Sequence, residues 1–300
     1  MKKWMAVAAV GLFAIALLRW PEAAADGVRE GLSLCFQTVV PSLFPFFVVI
    51  SLLLQLGVVQ KLQRFFAWVM DPLFHLSGAA LAPLAAGLVG GYPSGAKTAA
   101  ELYEQGALSK EEAELCLSFV NVCGPAFVLS YIGVGILGSQ RAGVYLYLIH
   151  VLSALLTGMI LCRLVPLRRR GKRPLPRFPA QKSFAEMFTA AVTGSFSSTL
   201  NICAFVVLFR TAAGILPAHL PAAVLGFFEM VTGAAALHAD AAGFITAAGL
   251  ISWGGLSVHF QTLSVLGGLR SKWHWIGKAM QAALSVLLAA AAVTWLSPSL

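Results

Sequence analysis

The sequence predicts an all-α polytopic membrane protein of about seven full spans and two re-entrant helical hairpins, its halves forming an inverted-topology repeat. Three observations carry this. Mean hydropathy is +0.83, with 59% hydrophobic and only 11% charged residues, a composition of the membrane-embedded class. The stretch Gly87–Lys97, Gly-Leu-Val-Gly-Gly-Tyr-Pro-Ser-Gly-Ala-Lys, sets a glycine-rich turn and an ammonium inside apolar sequence. Gly90, Gly91 and Gly95 weaken a helix, Pro93 lacks a backbone donor, and Tyr92 is steered from the α region by that proline. Broken backbone at membrane depth persists only where it is buried in protein or lines a wet cavity. Finally, residues 166–182 gather Arg168, Arg169, Arg170, Lys172, Arg173, Arg177 and Lys182 without an acid, the mark of a cytoplasmic topogenic loop.

Residues 1–30 read as an N-terminal transmembrane anchor, with Lys2-Lys3 before an apolar run to Leu18. Ala23 and Ala25 make the A-x-A pattern of a cleaved leader, but Arg19 and Pro21 intervene and favour a retained span. Residues 31–165 form the first repeat half. Gly31–Val59 is long enough to cross about 30 Å of hydrocarbon, kinked by Pro41 and Pro45. Lys61–Leu76 mixes Lys61, Arg64 and His75 with Phe65, Phe66, Trp68 and Phe74, as an interfacial amphipathic segment does. Ala79–Gln105 is the first hairpin. Ser109 and Glu112 form a Ser-x-x-Glu capping box that opens a run to Gly138, interrupted at Asn121–Pro125, and Arg141–Leu164 is a further span.

Beyond the basic linker, 183–300 form the second half. Phe184–Leu216 is a span with a polar patch at Ser195–Asn201. Leu220–Leu237 is short and broken by Gly226, Glu229, Thr232 and Gly233. Gly243–Gly268 is interrupted at Ser252–Gly255, and Trp273–Leu296 closes the chain. Placing the linker in the cytoplasm puts the N-terminus, Arg270 and Lys272 inside, with Arg141 and Arg210 as outer exceptions. The first hairpin then enters from the cytoplasm and the second from outside. Each half reads span, broken hairpin, interrupted span, span, the order in which solute and coupling ion sit between two discontinuous elements.

Several function classes drop out. The net charge of +9 is concentrated in the linker and short loops, so no nucleic-acid partner is expected. Five cysteines, Cys35, Cys116, Cys123, Cys162 and Cys203, are scattered through apolar segments, without disulfide or metal spacing. Walker A, HExxH and GxSxG patterns are missing, and the chain does not read as an enzyme.

The expected substrate-binding residues are Gly91, Tyr92, Ser94, Lys97, Asn121, Glu229, Thr232, Ser252, Ser257 and Gln261. Gly124, Pro125, Gly254 and Gly255 are either hinges or points of close helix approach. A lone charge at the bilayer centre costs about 2.5 to 3.5 kcal/mol on insertion scales, so Lys97 and Glu229, both near hairpin tips, need partners. Two readings stand: a fixed salt bridge locking the halves, or a site in which Glu229 takes H+ or Na+ and Lys97 holds an anionic solute or stands in for the ion. Asn121, Ser252, Ser257 and Gln261 either line a polar cavity or make interhelical hydrogen bonds of about 0.6 kcal/mol each. His259, with no partner in view, reads as a packing residue.

Four separated motifs in order, Gly-Gly-Tyr-Pro-Ser-Gly-Ala-Lys at 90–97, Asn-Val-Cys-Gly-Pro at 121–125, the Glu229 and Gly233 pair, and Ser-Trp-Gly-Gly-Leu-Ser-Val-His-Phe-Gln at 252–261, resemble the nucleoside-recognition, or Gate, membrane proteins. The resemblance implies a bacterial cytoplasmic-membrane protein, distantly similar to concentrative nucleoside transporters and associated in endospore formers with spore cortex formation. It carries no demonstrated substrate. The expectation is therefore a permease for a small polar solute, with no cofactor, Na+ or H+ as coupling ion, the lipid bilayer as surroundings and a homo-oligomer left open. The rival reading is a non-transporting scaffold for cortex assembly.

Overall fold

The computed structural model describes residues 2–165, 183–215 and 220–296; the basic linker at 166–182 lies outside the described residues. Every regular element among them is helical. Helix α1 (Lys2–Arg19) stops at Trp20, and Pro21, at a position where no backbone donor is needed, opens α2 (Pro21–Leu34). One π-helical turn, Cys35–Val39, carries α2 into α3 (Val40–Gln55). The expected start at Gly31 is thus mid-helix. A Cβ on Gly27 would come 2.7 Å from the Thr211 backbone, and one on Gly31 2.8 Å from that of Val207, both in α9 (Phe184–Ile215). These glycines mark close helix approach, not a boundary.

Helix α4 (Val58–Phe74) ends at His75 in the left-handed region, and the chain turns by 95° between residues 67–74 and 78–90. The predicted hairpin follows as α5 (Leu81–Gly90) and α6 (Ser94–Glu104). The Ser109–Glu112 capping box forms as read and opens α7 (Lys110–Cys116). The chain then unwinds through residues 117–124 and resumes as a π-helix, Phe127–Ile136, before α8 (Gln140–Leu164). The second hairpin is α10 (Ala222–Phe228) and α11 (Met230–Ala235), with Glu229 at the turn. The second interrupted span is α12 (Ala241–Trp253) and α13 (Gly255–Ser264), broken at Gly254, and α14 (Lys272–Leu296) is last.

Four described spans are long and apolar enough to cross a membrane: α8, α9, α12 with α13, and α14. A fifth is reached if the bent pair formed by the end of α4 with α5 counts as one. The count falls short of the seven expected partly because α2 is charged, with Glu22, Asp26, Arg29 and Glu30, while α3 has only 16 residues.

Helices α2, α3 and α9 pack as one group around Cys35, Phe47, Ile202 and Val206. Helices α8, α12 and α14 and the π-helix enclose a second core containing Val128, Ile132, Leu146, Phe244 and Ile251. Residues of α4 to α7 build a third, with Met70, Leu102 and Leu115, where Phe74 stacks on Phe119 at 4.8 Å. The unwound segment 117–124 lies where the hairpin α5–α6 meets α8 and α14.

Candidate functional site

Unwound backbone can be buried only if neighbours come close enough to exclude water, and glycine permits that approach. A Cβ on either Gly87 or Gly95, on the two arms of the first hairpin, would overlap the Val120 carbonyl. One on Gly277 of α14 would overlap the Ser118 carbonyl, and one on Gly158 of α8 would come 2.6 Å from the Phe119 ring. Gly91, at φ +74, lies against Gly124, to whose backbone nitrogen its Cβ would be 2.8 Å. The glycines of the motif thus build a cradle, and the segment in it directs the Asn121 carbonyl and the Cys123 N–H sideways, out of any helix. Gly255 stands in a similar relation to the second hairpin, its Cβ position 3.0 Å from the Gly226 carbonyl and the Met230 nitrogen.

At this crossing sits a residue that the sequence reading passed over. Lys278 of α14 is 1% exposed, and its ammonium donates to Tyr92 Oη at 3.0 Å, the Asn121 carbonyl at 3.0 Å and Gln281 Oε1 at 2.9 Å. Its charge also lies 4.9 Å from the centre of the Tyr92 ring. Three donors meet three oxygens, so the ammonium is fully satisfied. No carboxylate pairs with it among the described residues. The Tyr92 hydroxyl donates in turn to the Ile251 carbonyl at 2.5 Å, so the hairpin tip is joined to the end of α12 beside the second break. The Asn121 amide donates to Thr262 of α13 at 2.7 Å, while Asn121 Oδ1 is buried without a partner.

His150 of α8 continues the network. Its Nε2 accepts from the Cys123 N–H at 2.8 Å, and its Nδ1 is 2.9 Å from Ser252 Oγ. A backbone N–H can only donate, so Nε2 must be the acceptor; the imidazole is neutral with its proton on Nδ1, directed to Ser252. The Gln281 amide nitrogen cannot then donate to Nδ1, and its bond is the one to the His150 carbonyl at 3.3 Å.

Of the residues expected from sequence, Tyr92, Asn121 and Ser252 are brought together here, joined by Lys278, Gln281 and His150. Ser94 instead bonds the Gly91 carbonyl and shapes the hairpin turn. Ser257 and Gln261 pair with each other along α13 at 3.0 Å. Gly124 and Gly255 are points of close approach; Gly254 ends α12 at φ +89, where L side chains are strained; Pro125 is half-buried where the chain resumes helix. His259 is not alone: its Nδ1 is 2.8 Å from His274 Nε2, and its ring lies between Trp253 and Trp275 at 4.3 and 4.2 Å.

Lys97 and Glu229 engage other partners than each other. Lys97 is half-buried, donates to Ser198 of α9 at 2.7 Å, lies over the Phe47 ring and pairs loosely with Glu101 at 3.8 Å. Glu229 caps its own helix, accepting from the N–H groups of Val231 at 3.1 Å and Thr232 at 2.6 Å and from the Thr232 hydroxyl at 2.7 Å. Local donors meet the carboxylate's need and leave no role for a distant lysine. Thr232 also accepts from Arg210 of α9, which pairs with Glu30 of α2 at 2.6 Å. Between these contacts Asn201 of α9 donates to Ser264 of α13 at 2.7 Å. Helix α9 is thus touched by the first hairpin at Ser198 and by the second at Arg210, about 18 Å apart along the axis and on different sides of the helix, since nine residues set Asn201 and Arg210 about half a turn apart.

Two cavities lie away from the Lys278 cluster. A groove of about 510 Å³ is lined by Phe13, Leu17, Val28, Leu32 and Val207 and is apolar. Another of about 430 Å³ lies beside the second hairpin, with Pro221, His238, Asp240 and Thr246 in its wall.

Residues 36–216 match the nucleoside recognition (Gate) family. The chain is 30% identical over 206 residues to the sporulation integral membrane protein YlbJ of Bacillus subtilis (strain 168), an alignment covering 63% of this chain and 50% of that protein. It therefore spans about half the length of that curated relative. No solved structure matches. The motifs that build the first hairpin and the unwound segment fall inside the matched region, and the chain belongs to the nucleoside recognition, or Gate, family of membrane proteins.

Proposed function

We propose that this protein moves a small polar solute across the membrane along the seam between α9 and the two hairpins. The observation that carries the reading is a repeated relationship. The first hairpin packs on the unwound segment after α7, and the second packs on the break at Gly255. Each hairpin also meets α9 through one cation, Lys97 to Ser198 and Arg210 to Thr232. Two discontinuous elements each tied by a hydrogen bond to one long helix is an arrangement suited to alternating access, with one group of helices moving against the other. On this reading the halves are inverted, the hairpins are re-entrant from opposite faces, about seven segments span the bilayer, and the N-terminus and the 166–182 linker are cytoplasmic. H+ or Na+ is the coupling ion. An association with sporulation, and through it with the spore cortex, is drawn from the name of the Bacillus subtilis relative and from the resemblance of the motifs.

Reconstituted liposomes offered nucleosides, amino-acid conjugates and cortex precursors test this. Saturable uptake of one class that falls in Lys97→Met, with expression and folding intact, is the expected result; absence of flux for every solute defeats it. The scaffold reading is favoured by one observation, the closed and hydrogen-bonded centre, where Lys278, Asn121, His150 and Ser252 are at most 1% exposed. A scaffold gives no flux and tolerates Lys97→Met.

A further inference from the structure

The Lys278 ammonium has the surroundings of a bound ion rather than of a salt bridge. Its three oxygens are formally neutral and come from three pieces of chain: the tip of the first hairpin, the unwound segment and α14 itself. Each is turned toward Nζ by a bond made elsewhere. Tyr92 donates its hydroxyl hydrogen bond to the Ile251 carbonyl, which leaves its lone pairs for the ammonium. Gln281 directs its amide nitrogen to the His150 carbonyl, leaving Oε1 on the lysine side. Asn121 is anchored through its amide to Thr262, and its carbonyl is free because the chain there is not helical. Oxygens oriented from behind in this way form a preorganised coordination shell, and backbone carbonyls from broken helices are usual ligands for monovalent cations in membranes. Were Lys278 only filling space, apolar neighbours would be cheaper than a buried charge with no acid beside it among the described residues.

We propose that Lys278 is a tethered monovalent cation occupying an oxygen site made by Tyr92 Oη, the Asn121 carbonyl and Gln281 Oε1, and that a free ammonium-type ion takes this site when the side chain is cut back. The contact lengths of 2.9 to 3.0 Å are those of N–H···O bonds, so ammonium and methylammonium are the fitting probes. The tether holds both chain breaks together, through Asn121 at the first and through Tyr92 and Ile251 at the second. This inference stands whether or not solute crosses the membrane.

The test is thermal unfolding of the full chain in detergent micelles, at constant ionic strength, in choline, tetramethylammonium, ammonium or methylammonium chloride. The wild type is expected to unfold at the same temperature in all four. Lys278→Ala is expected to lose at least about 5 °C in choline. Ammonium or methylammonium should restore half or more of that loss, and tetramethylammonium, which has no N–H, none. Lack of recovery beyond choline overturns the proposal, and so does a Lys278→Met protein as stable as the wild type. If Lys278→Ala does not survive extraction in choline, it is extracted in ammonium or methylammonium chloride: a folded, monodisperse protein in those salts and not in choline or tetramethylammonium supports the proposal, and loss in all four overturns it.

Discussion

Gly277 of α14 lies against Ser118 of the unwound segment so closely that a Cβ on the glycine would overlap the Ser118 carbonyl. The neighbouring residue is Lys278, so this contact sets how deeply the ammonium reaches into the crossing. A backbone carbonyl buried in an unwound segment cannot yield as a flexible side chain does. Gly277→Ala is therefore expected to destabilise by about 3 kcal/mol, the upper part of the range for overpacking. Gly194→Ala, in α9 with open space where its Cβ would go, is the control and is expected to be neutral or to gain about 0.5 kcal/mol. Equal unfolding temperatures for the two variants would show that the crossing is loosely packed.

His150 is the sole acceptor shown for the Cys123 N–H, and both are buried. His150→Ala strands that donor and the Ser252 hydroxyl and removes a packed ring. The expected loss is about 2 to 4 kcal/mol, exceeding that of Ser252→Ala at about 1 to 2. In a double-mutant cycle the two residues should couple by about 1 kcal/mol, because the Nδ1–H to Oγ bond is their direct contact. Additive losses would mean that Ser252 does not fix the imidazole.

What was legible in the sequence follows the reach of each interaction. Ser109 and Glu112 are three residues apart, and the capping box forms as read. The breaks expected at Asn121–Pro125 and at Ser252–Gly255 are announced by glycine and proline, whose effects act on their own backbone, but the first opens earlier, at Leu117, in a stretch that carries neither. Lys278 is different: its bonds to Tyr92 and Asn121 span 186 and 157 residues, and within α14 it is one lysine in an apolar run. The warning was present, since a lysine inside a span calls for a partner, but the partners' positions were not. The pairing of Lys97 with Glu229 failed for the converse reason. Glu101, one helical turn from Lys97, and the donors of α11 that follow Glu229 were nearer competitors. Gly27 and Gly31 show a further ambiguity, because a glycine that ends a helix and one that lets two helices touch look alike until the second helix is placed.

Arg210 joins three elements, pairing with Glu30 of α2 and donating to Thr232 of α11 from its place in α9. The Glu30 side chain is 57% exposed, so its ion pair is screened and worth less than about 1 kcal/mol. Glu30→Gln is expected to cost that little, and nothing measurable at high salt. Arg210→Gln also removes a hydrogen bond to the second hairpin, with an expected additional loss of about 1 kcal/mol. On the transport reading it also alters flux, whereas Glu30→Gln does not. Equal effects of the two variants on unfolding and uptake would leave the contact with Thr232 without a role.

The sidedness of the hairpins can be read from labelling. At the base of the first hairpin, Glu104 lies beside Gly267, and the backbone of Arg270 donates to Glu114 of α7, so the loop 265–271 and that base share one end of the molecule. Gln105, Gly268 and His238 are exposed, the last at the base of the second hairpin, while four native cysteines are buried and Cys203 is half-buried. In a Cys203→Ala background, single Gln105→Cys, Gly268→Cys and His238→Cys variants are treated in right-side-out vesicles with a membrane-impermeant maleimide. His238→Cys is expected to label directly, and Gln105→Cys and Gly268→Cys only after lysis, as the positive-inside rule requires of a chain with Arg270 and Lys272 in the cytoplasm. If Gln105→Cys and His238→Cys label from the same face, both hairpins enter from that face. The halves are then not inverted, and the seam along α9 cannot open alternately to the two sides.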